Sequence, residues 1–283
     1  MTGTTCVVTG ATSGIGLEVA RTLAEKGARV IGVGRDPARC AEACASIRDG
    51  TGNREVAFET ADLSDQAQLR SLARRLAEKT GRVDVLVNNA GTFTLARKES
   101  ADGIEMQLAV NWLAGFMLTG LLLPLLQTAP RARVVTVSSG SHFAGRLRWD
   151  DIQLRRRYHG LKAYDQSKLA TVLFTYELAR RLGPGAAVST YAVDPGLVKT
   201  EIGAKGNGLF VRMIWGMRAQ GGISPMEAGT SVAFCAMDAA AAGKTGLYWK
   251  DRGPVASSRP SYDKGDSLRL WELGEELCGV RYP

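Results

Sequence analysis

Apolar and polar positions alternate in blocks along the first two thirds of the chain. Short runs of valine, isoleucine and other apolar residues predict buried strands, and they cover residues 5–9, 29–33, 56–60, 83–87, 134–137 and 187–193. Between them lie longer segments whose apolar residues recur at the spacing of an amphipathic helix. Strand and helix units that repeat in this way predict an α/β fold with a doubly wound parallel sheet flanked by helices.

The last third of the chain continues the pattern less regularly. Ser224-Pro225 predicts the start of a helix to Met237, residues 246–249 predict a last strand, and residues 262–278 predict a terminal helix. We therefore expect about seven strands in a single domain that spans residues 1–283.

A glycine-rich stretch with an apolar centre lies within residues 201–224. We predict that residues 203–222 form a lid over an apolar substrate. A helix that contacts a membrane surface or a partner, and plain packing, are the alternatives.

Charge and cysteine content narrow the function classes. The formal net charge is +8, but the basic residues are scattered and lack an interleaved aromatic platform, so we predict no nucleic-acid partner. Five cysteines without C-x-x-C or zinc spacing favour a reducing, cytoplasmic location. With two histidines in the chain, no metal site is predicted.

Two features bear on membranes. The chain enters a strand almost at once, so no signal peptide is predicted. Residues 112–127 are apolar and uncharged, yet they are interrupted by glycine and proline and fall short of the roughly 20 residues that a span needs. We predict a buried or dimer-forming helix there, as part of a longer helix from about residue 101 to residue 127, and no transmembrane segment.

A glycine-rich turn follows the first strand. Gly10, Gly14 and Gly16 stand between that strand and an amphipathic helix, the context in which such a motif indicates dinucleotide binding. Gly10 permits a tight turn, Gly14 lets the backbone approach a pyrophosphate, and Gly16 lets the helix pack close to the sheet. The helix N-terminus would face the anion.

The end of the second strand bears on the choice of cofactor. NAD-binding units place an acidic side chain there for the ribose 2′-hydroxyl, whereas this chain has Gly34 followed by Arg35. A guanidinium suits a 2′-phosphate, so NADP is predicted over NAD. Asp36 is an alternative acidic acceptor, but Asp36-Pro37 is typical of a helix start. Arg39 is either a second phosphate contact or a solvated side chain.

Tyr164 and Lys168 share one face of a predicted helix, and Ser139 ends the fifth strand. A tyrosine pKa of about 10 would fall by about three units beside an ammonium about 4 Å away at an effective dielectric near 20. Tyr164 would then exchange a proton with a carbonyl or alcohol oxygen that Ser139 holds. Taken alone, the Tyr-x-x-x-Lys spacing also fits a surface pair, because about one such match arises by chance in a chain of this length.

Together these motifs resemble the short-chain dehydrogenase/reductase family. They follow the family's order, as Thr9-Gly10-x-x-x-Gly14-x-Gly16, Asp62, Asn88-Asn89-Ala90-Gly91, Asn111, Ser139, Tyr164-x-x-x-Lys168 and Pro195-Gly196-x-x-x-Thr200. Residues 163–182 and the ending LWELGEELCGV resemble the retinol-dehydrogenase-like branch. The resemblance implies a Rossmann-type fold.

The resemblance also implies a role for each motif. Tyr164 would be the general acid/base, Lys168 would lower its pKa and bond the nicotinamide ribose, and Ser139 or the adjacent Ser138 would orient the substrate oxygen. Asn111 would hold a water in a proton relay. The implied cofactor-binding residues are Thr9, Gly10, Ser13, Gly14, Ile15, Gly16, Arg35, Asp62, Leu63, Asn89, Ala90, Gly91, Tyr164, Lys168, Pro195, Gly196, Val198 and Thr200.

These implications give a cytoplasmic NADP(H)-dependent oxidoreductase acting on an apolar ketone, aldehyde or secondary alcohol. One alternative is a ketoreductase in which Arg155, Arg156 and Arg157 hold an acidic carrier- or coenzyme A-linked substrate. Another is a binding protein that senses NADP(H) without turnover. The family resemblance further implies a homodimer or homotetramer, with the helix over residues 112–127 at the interface.

Overall fold

Eight strands form one sheet in the described part of the chain. The computed structural model describes residues 1–198 and 222–282. The strands are β1 (Thr5–Thr9), β2 (Arg29–Gly34), β3 (Val56–Thr60), β4 (Val85–Asn88), β5 (Ala132–Val137), β6 (Val188–Asp194), β7 (Leu247–Lys250) and β8 (Gly253–Val255). Their order across the sheet is β3-β2-β1-β4-β5-β6-β7-β8.

The first seven strands run parallel, and β8 pairs antiparallel with β7 at one edge. The predicted doubly wound parallel sheet is therefore confirmed. The prediction missed β8, because three residues of sequence Gly-Pro-Val carry no periodic signal.

Helices cover both faces of the sheet. They are α1 (Gly14–Glu25), α2 (Pro37–Thr51), α3 (Gln66–Lys79), α4 (Met106–Gln127), α5 (Gly160–Leu182), α6 (Pro225–Met237) and α7 (Lys264–Cys278). One core packs α3, α4, α5 and α7 against the sheet, and the other packs α1, α2 and α6 against the opposite face. Within β1, Val7 belongs to the first core while Cys6 and Val8 belong to the second. Burial on both faces explains why the strands are almost uniformly apolar.

Helix α4 starts later than predicted and contains a π-helical turn. A helix from about residue 101 was expected, but Glu105 ends the preceding loop and its carboxylate accepts the backbone N–H groups of Gln107 and Leu108. By length and composition α4 could cross a membrane, but most of it is buried inside the fold. Phe116 contacts the rings of Phe174, Trp271 and Tyr282. The helix is therefore part of the core.

The sheet order places a crevice where β1 and β4 are neighbours. The chain builds β1, β2 and β3 outward in one direction and then returns to β4 on the other side of β1. Such a reversal separates the loops at the carboxyl ends of the two strands and creates the ligand site of open α/β sheets. The predicted lid, residues 203–222, lies almost wholly outside the described residues. The described residues on the two sides of this segment lie next to each other, since Val198 forms a parallel bridge with Ile223.

Candidate active site

Side chains from three elements meet at the carboxyl edge of the sheet beside this crevice. Ser139 follows β5, Tyr164 and Lys168 lie on the first turns of α5, and Asn111 lies in the π-helical turn of α4. Tyr164, Lys168 and Asn111 are buried, and Ser139 is half-buried. The structure thus brings together the four predicted catalytic residues.

Ser139, not Ser138, faces the Tyr164 hydroxyl. The Ser139 side chain hydrogen-bonds to Tyr164, and its oxygen also accepts the backbone N–H of Ser141 at 3.2 Å. The Ser138 hydroxyl points the other way and donates to the backbone carbonyl of Lys168 at 3.0 Å. Ser139 is therefore the serine within reach of the Tyr164 hydroxyl, and its part in orienting a substrate oxygen stays a prediction.

The Lys168 side chain runs under the tyrosine to the sheet. Its Nζ donates to the Val137 carbonyl at 2.9 Å and lies 5.6 Å from the centroid of the Tyr164 ring. Only 3% of the residue is exposed. Burial lowers the pKa of the Lys168 ammonium to about 8, although the Asp194 carboxylate acts in the opposite direction.

The predicted fall in the pKa of Tyr164 was wrong for the protein chain alone. Burial raises that pKa, and so do the nearby carboxylates of Asp165 and Asp194, whereas the hydrogen bond with Ser139 lowers it. The prediction assumed that the ammonium lies beside the phenol oxygen, and it did not include the effect of burial on the pKa, which disfavours a phenolate. In the structure the ammonium is bound to Val137 instead.

Asn111 joins two segments of the site. Its Oδ1 accepts the Thr92 backbone N–H at 2.7 Å, and its Nδ2 donates to the Thr92 carbonyl at 3.1 Å and to the Ser167 hydroxyl at 2.9 Å. π-Helical turns occur frequently at functional sites. The side chain therefore fixes the loop after β4 against α5, while its part in a proton relay stays a prediction.

The glycine turn has the close backbone contacts that the motif predicts. Gly10 and Gly14 have φ values of +65° and +56°, which favour glycine. A Cβ on Gly16 would lie 2.3 Å from the Gly10 carbonyl oxygen and equally close to Nδ2 of Asn89. Helix α1 therefore starts directly against the turn, and its first backbone N–H groups face the edge where a pyrophosphate would bind.

Thr9 and Asn89 connect this turn to the loop after β4. Thr9 Oγ1 accepts the backbone N–H groups of Asn89 and Ala90 at 3.0 and 3.1 Å. Asn89 Nδ2 donates to the Thr9 carbonyl at 2.8 Å. Both side chains are thus used to hold the two loops together at the crevice, and their predicted contacts with a cofactor stay untested.

The end of β2 has no room for an acidic side chain at position 34. A Cβ on Gly34 would lie 2.4 Å from the Thr12 methyl carbon and 2.7 Å from Cys40 Sγ. The Asp36 carboxylate accepts the N–H groups of Ala38 and Arg39 at the start of α2, which matches its predicted role as a helix cap. Arg35 is exposed at the same edge.

The remaining predicted cofactor residues lie at this edge or beyond the described part. Asp62 accepts the backbone N–H and the hydroxyl of Ser64. Leu63 lines a small cavity that Thr9 and Asn111 also line. After β6, Gly196 adopts φ +83°. Ser13 and Gly91 lie in the loops after β1 and β4, and Ile15 lies in the first turn of α1. Pro195 and Val198 follow β6, and Thr200 is outside the described residues.

Sequence reasoning missed three buried groups behind the site. Asp194 accepts the Tyr248 hydroxyl at 3.0 Å. His142 Nε2 accepts the Ser258 N–H at 3.0 Å, so its Nδ1 carries the proton and donates to the Ser139 carbonyl at 2.8 Å. Burial lowers the pKa of His142. Asp194 could have been predicted as a site residue because it is an acidic residue at a strand end, but no local sequence feature indicates Tyr248. Within residues 1–198 and 222–282, no group of three or more metal-ligating side chains occurs.

A protein-family model, a known protein and a solved structure are each similar to this chain over most of its length. The family model for short chain dehydrogenases matches residues 4–207. Retinol dehydrogenase 12 of Mus musculus is 37% identical over 280 residues, which cover 99% of this chain and 88% of that protein. The crystal structure of an uncharacterized protein from Mycobacterium Paratuberculosis, 32% identical, superposes with a TM-score of 0.79 and covers 100% of this chain and 96% of that chain.

A further similar structure holds a nicotinamide cofactor. The Pseudomonas aeruginosa RhlG/NADP active-site complex is 28% identical, with a TM-score of 0.69 over 89% of this chain and 95% of that chain. The motifs, the sheet order and these matches agree. The chain belongs to the short-chain dehydrogenase/reductase family of nicotinamide-dependent oxidoreductases, and it resembles the retinol-dehydrogenase branch.

Proposed function

We propose that the protein is an NADP(H)-dependent oxidoreductase that interconverts an apolar ketone or aldehyde and the corresponding alcohol. The observation that carries the proposal is the grouping of half-buried Ser139 with buried Tyr164 and Lys168 beside the glycine turn. The nicotinamide cofactor, when bound, supplies or accepts the hydride.

The raised pKa of Tyr164 suits a proton donor. At neutral pH the hydroxyl keeps its proton, and a carbonyl oxygen held by Ser139 would receive that proton as the carbonyl is reduced. Lys168, whose Nζ lies 5.6 Å from the centroid of the Tyr164 ring, would stabilise the phenolate that the transfer leaves behind. In the direction of alcohol oxidation the same hydroxyl must first lose its proton, so we expect carbonyl reduction to be favoured near neutral pH.

The end of β2 supports NADP(H) over NAD(H). An acidic side chain at position 34 would clash with Thr12 and Cys40. The Asp36 carboxylate already accepts hydrogen bonds from the start of α2. Arg35 is exposed, and within the described part of the chain it has no ion-pair partner. Its guanidinium is thus available to a 2′-phosphate. The similar Pseudomonas aeruginosa structure is also an NADP complex.

Exposed apolar side chains around the site support an apolar substrate. Leu95, Phe143 and Leu197 are 50%, 53% and 50% exposed. They lie in the loops that follow β4, β5 and β6. The first two of these loops also carry Phe93, which contacts the Tyr164 ring, and Ser139, which hydrogen-bonds to Tyr164. Apolar groups gathered at the mouth of a site favour an apolar ligand by burial on binding. The relatives named retinol dehydrogenases agree with this class.

Location and assembly remain proposals. Five free cysteines favour the cytoplasm, and we expect a homodimer or homotetramer. The inner face of α4 is already covered by α7 and Tyr282, so an interface on α4 would use its outer, half-buried side.

Replacement of Tyr164 by phenylalanine tests the function. We expect turnover of NADPH with a panel of carbonyl compounds to fall by orders of magnitude, because the proton donor is lost, while NADPH affinity changes little. Tyr176→Phe, on the same helix, removes a hydroxyl that bonds Ser257 away from the site, and its turnover should match wild type. Unchanged turnover in Tyr164→Phe would disprove the assigned role.

A further inference from the structure

Asp194 is a buried carboxylate directly behind the catalytic group. It is the last residue of β6 and is 5% exposed. Its Oδ1 accepts the Gly196 N–H at 3.0 Å, and its Oδ2 accepts the Tyr248 hydroxyl at 3.0 Å. A Cβ on Gly140 would lie 3.5 Å from Oδ2. The carboxylate therefore lies against the turn that carries Ser139.

Lys168 ends at the same place on the neighbouring strand. Its Nζ is bound to the carbonyl of Val137, and Val137 is paired in register with Val193, the residue before Asp194. Two buried charges of opposite sign thus occupy adjacent strand ends.

Neither charged group is neutralised by a salt bridge among the described residues. No ion pair there involves Lys168 or Asp194. Lys250, the register partner of Asp194 on β7, is exposed to solvent. Because an isolated buried charge is strongly unfavourable, the Lys168 ammonium depends on the nearby Asp194 carboxylate, which raises its pKa, whereas the carboxylate is also held by the Gly196 N–H and the Tyr248 hydroxyl.

We propose that Asp194 is a positioning residue for the reaction, and that its carboxylate, held by Tyr248 and the Gly196 amide, keeps the buried Lys168 side chain protonated. This inference rests on the proposed function and on the role that the family resemblance implies for Lys168, whose ammonium would bond the nicotinamide ribose. The end of β6, the loop that follows it and Tyr248 of β7 thereby contribute to the site.

Four titratable groups face Asp194, and their responses agree in sign. The carboxylate raises the pKa of Lys168 and of Tyr164, both on α5. It also raises the pKa of His142, in the turn after β5, and of Tyr248, on β7. Removal of the negative charge would therefore lower the pKa of Lys168 and of Tyr164 together. Protonated Lys168 and protonated Tyr164 would both be lost at a lower pH.

The test compares Asp194→Asn with wild type in the binding of NADPH alone. Affinity is measured by calorimetry over a pH series that spans the Lys168 pKa of about 8. In wild type we expect affinity to decline above that pH, as the ammonium becomes a neutral amine. In Asp194→Asn the decline should begin about one pH unit lower, and Asp194→Glu should largely restore it.

Asp84→Asn is the matched control. Asp84 is a half-buried carboxylate at the opposite edge of the same sheet, where it accepts the Thr5 N–H at 2.8 Å. Its removal should lower stability without moving the pH at which NADPH affinity declines. The alkaline limb of carbonyl reduction should move with the binding curve in Asp194→Asn only.

The outcomes separate this inference from the proposed function. A decline at the same pH in wild type and Asp194→Asn would overturn the inference and leave the enzyme assignment standing. Wild type that does not bind NADPH at any pH would overturn the proposed function itself.

If Asp194→Asn does not fold, the double variant Lys168→Met/Asp194→Asn decides. Recovery of folding would support charge compensation between the two side chains. Continued failure to fold would mean that Asp194 has a purely structural role, and the inference would fall.

Discussion

Replacement of Lys168 by methionine should stabilise the fold while it inactivates the site. Burial lowers the pKa of this ammonium from its ordinary 10.5 to about 8. At about 1.36 kcal/mol per unit of pKa, the buried positive charge reduces the free energy of unfolding at pH 7 by about 3 kcal/mol. Methionine fills a similar volume without charge.

A smaller effect opposes this gain. Without Lys168 Nζ, the buried Val137 carbonyl loses its hydrogen bond, which costs about 1 kcal/mol. The net expectation is that Lys168→Met is more stable than wild type by about 2 kcal/mol at pH 7.

The sign of the pH dependence distinguishes this account from simple repacking. Between about pH 8 and 10.5 the unfolded wild-type chain binds more protons than the folded one, so wild-type stability rises with pH. Lys168→Met has no such group, and its advantage should shrink by up to about 1.4 kcal/mol per pH unit in that window. The advantage should be largely gone at the upper end of the window, once the wild-type amine is neutral in both states.

Urea unfolding of wild type and Lys168→Met over a pH series measures the difference. Lys162→Met, an exposed lysine on the same helix, is the control and should show no pH-dependent advantage. A Lys168→Met protein that is less stable than wild type at pH 7, by an amount independent of pH, would refute the reasoning.

Two further pairs of variants, each a test and its control, probe the cofactor edge and the start of α5. Arg35→Asp should weaken NADPH binding and favour NADH, and an unchanged cofactor preference would remove that residue from the site. Asp36→Ala should lower the free energy of unfolding by about 1 kcal/mol without changing the cofactor preference. Affinities for both cofactors and urea unfolding measure these effects. Gly160→Ala would bring a Cβ within 2.4 Å of the Thr94 carbonyl oxygen, so we expect a loss of about 1–3 kcal/mol and a displaced Tyr164. Gly81→Ala, with no atom within 4 Å, should be neutral in the same unfolding assay, and a neutral Gly160→Ala would contradict the packing described here.

Much of the architecture was predictable because its signals are local. β1, β2 and β5 are continuous apolar runs, since both faces of the central sheet are buried. The glycines at positions 10 and 14 are required by their left-handed backbone. The order of motifs along the chain then predicted which residues would meet at the sheet edge.

The parts that sequence did not predict depend on contacts between distant residues. The pKa of Tyr164 follows from burial beneath neighbouring segments such as Phe93, which the local spacing does not reveal. The network of Asp194, Tyr248 and His142 joins β6, β7 and the turn after β5. The start of α4 depends on the Glu105 cap, where an apolar pattern alone suggested an earlier residue.

In the proposed reaction, the nicotinamide cofactor delivers hydride to a carbonyl carbon while Tyr164 delivers the proton. Incubation of the wild-type protein with NADPH that carries deuterium at both C4 positions and with an apolar ketone, followed by mass spectrometry of the product, tests this reaction. We expect an alcohol that carries one deuterium on carbon, formed by wild type and not by Tyr164→Phe. An alcohol without deuterium, or equal deuterated product from Tyr164→Phe, would contradict it.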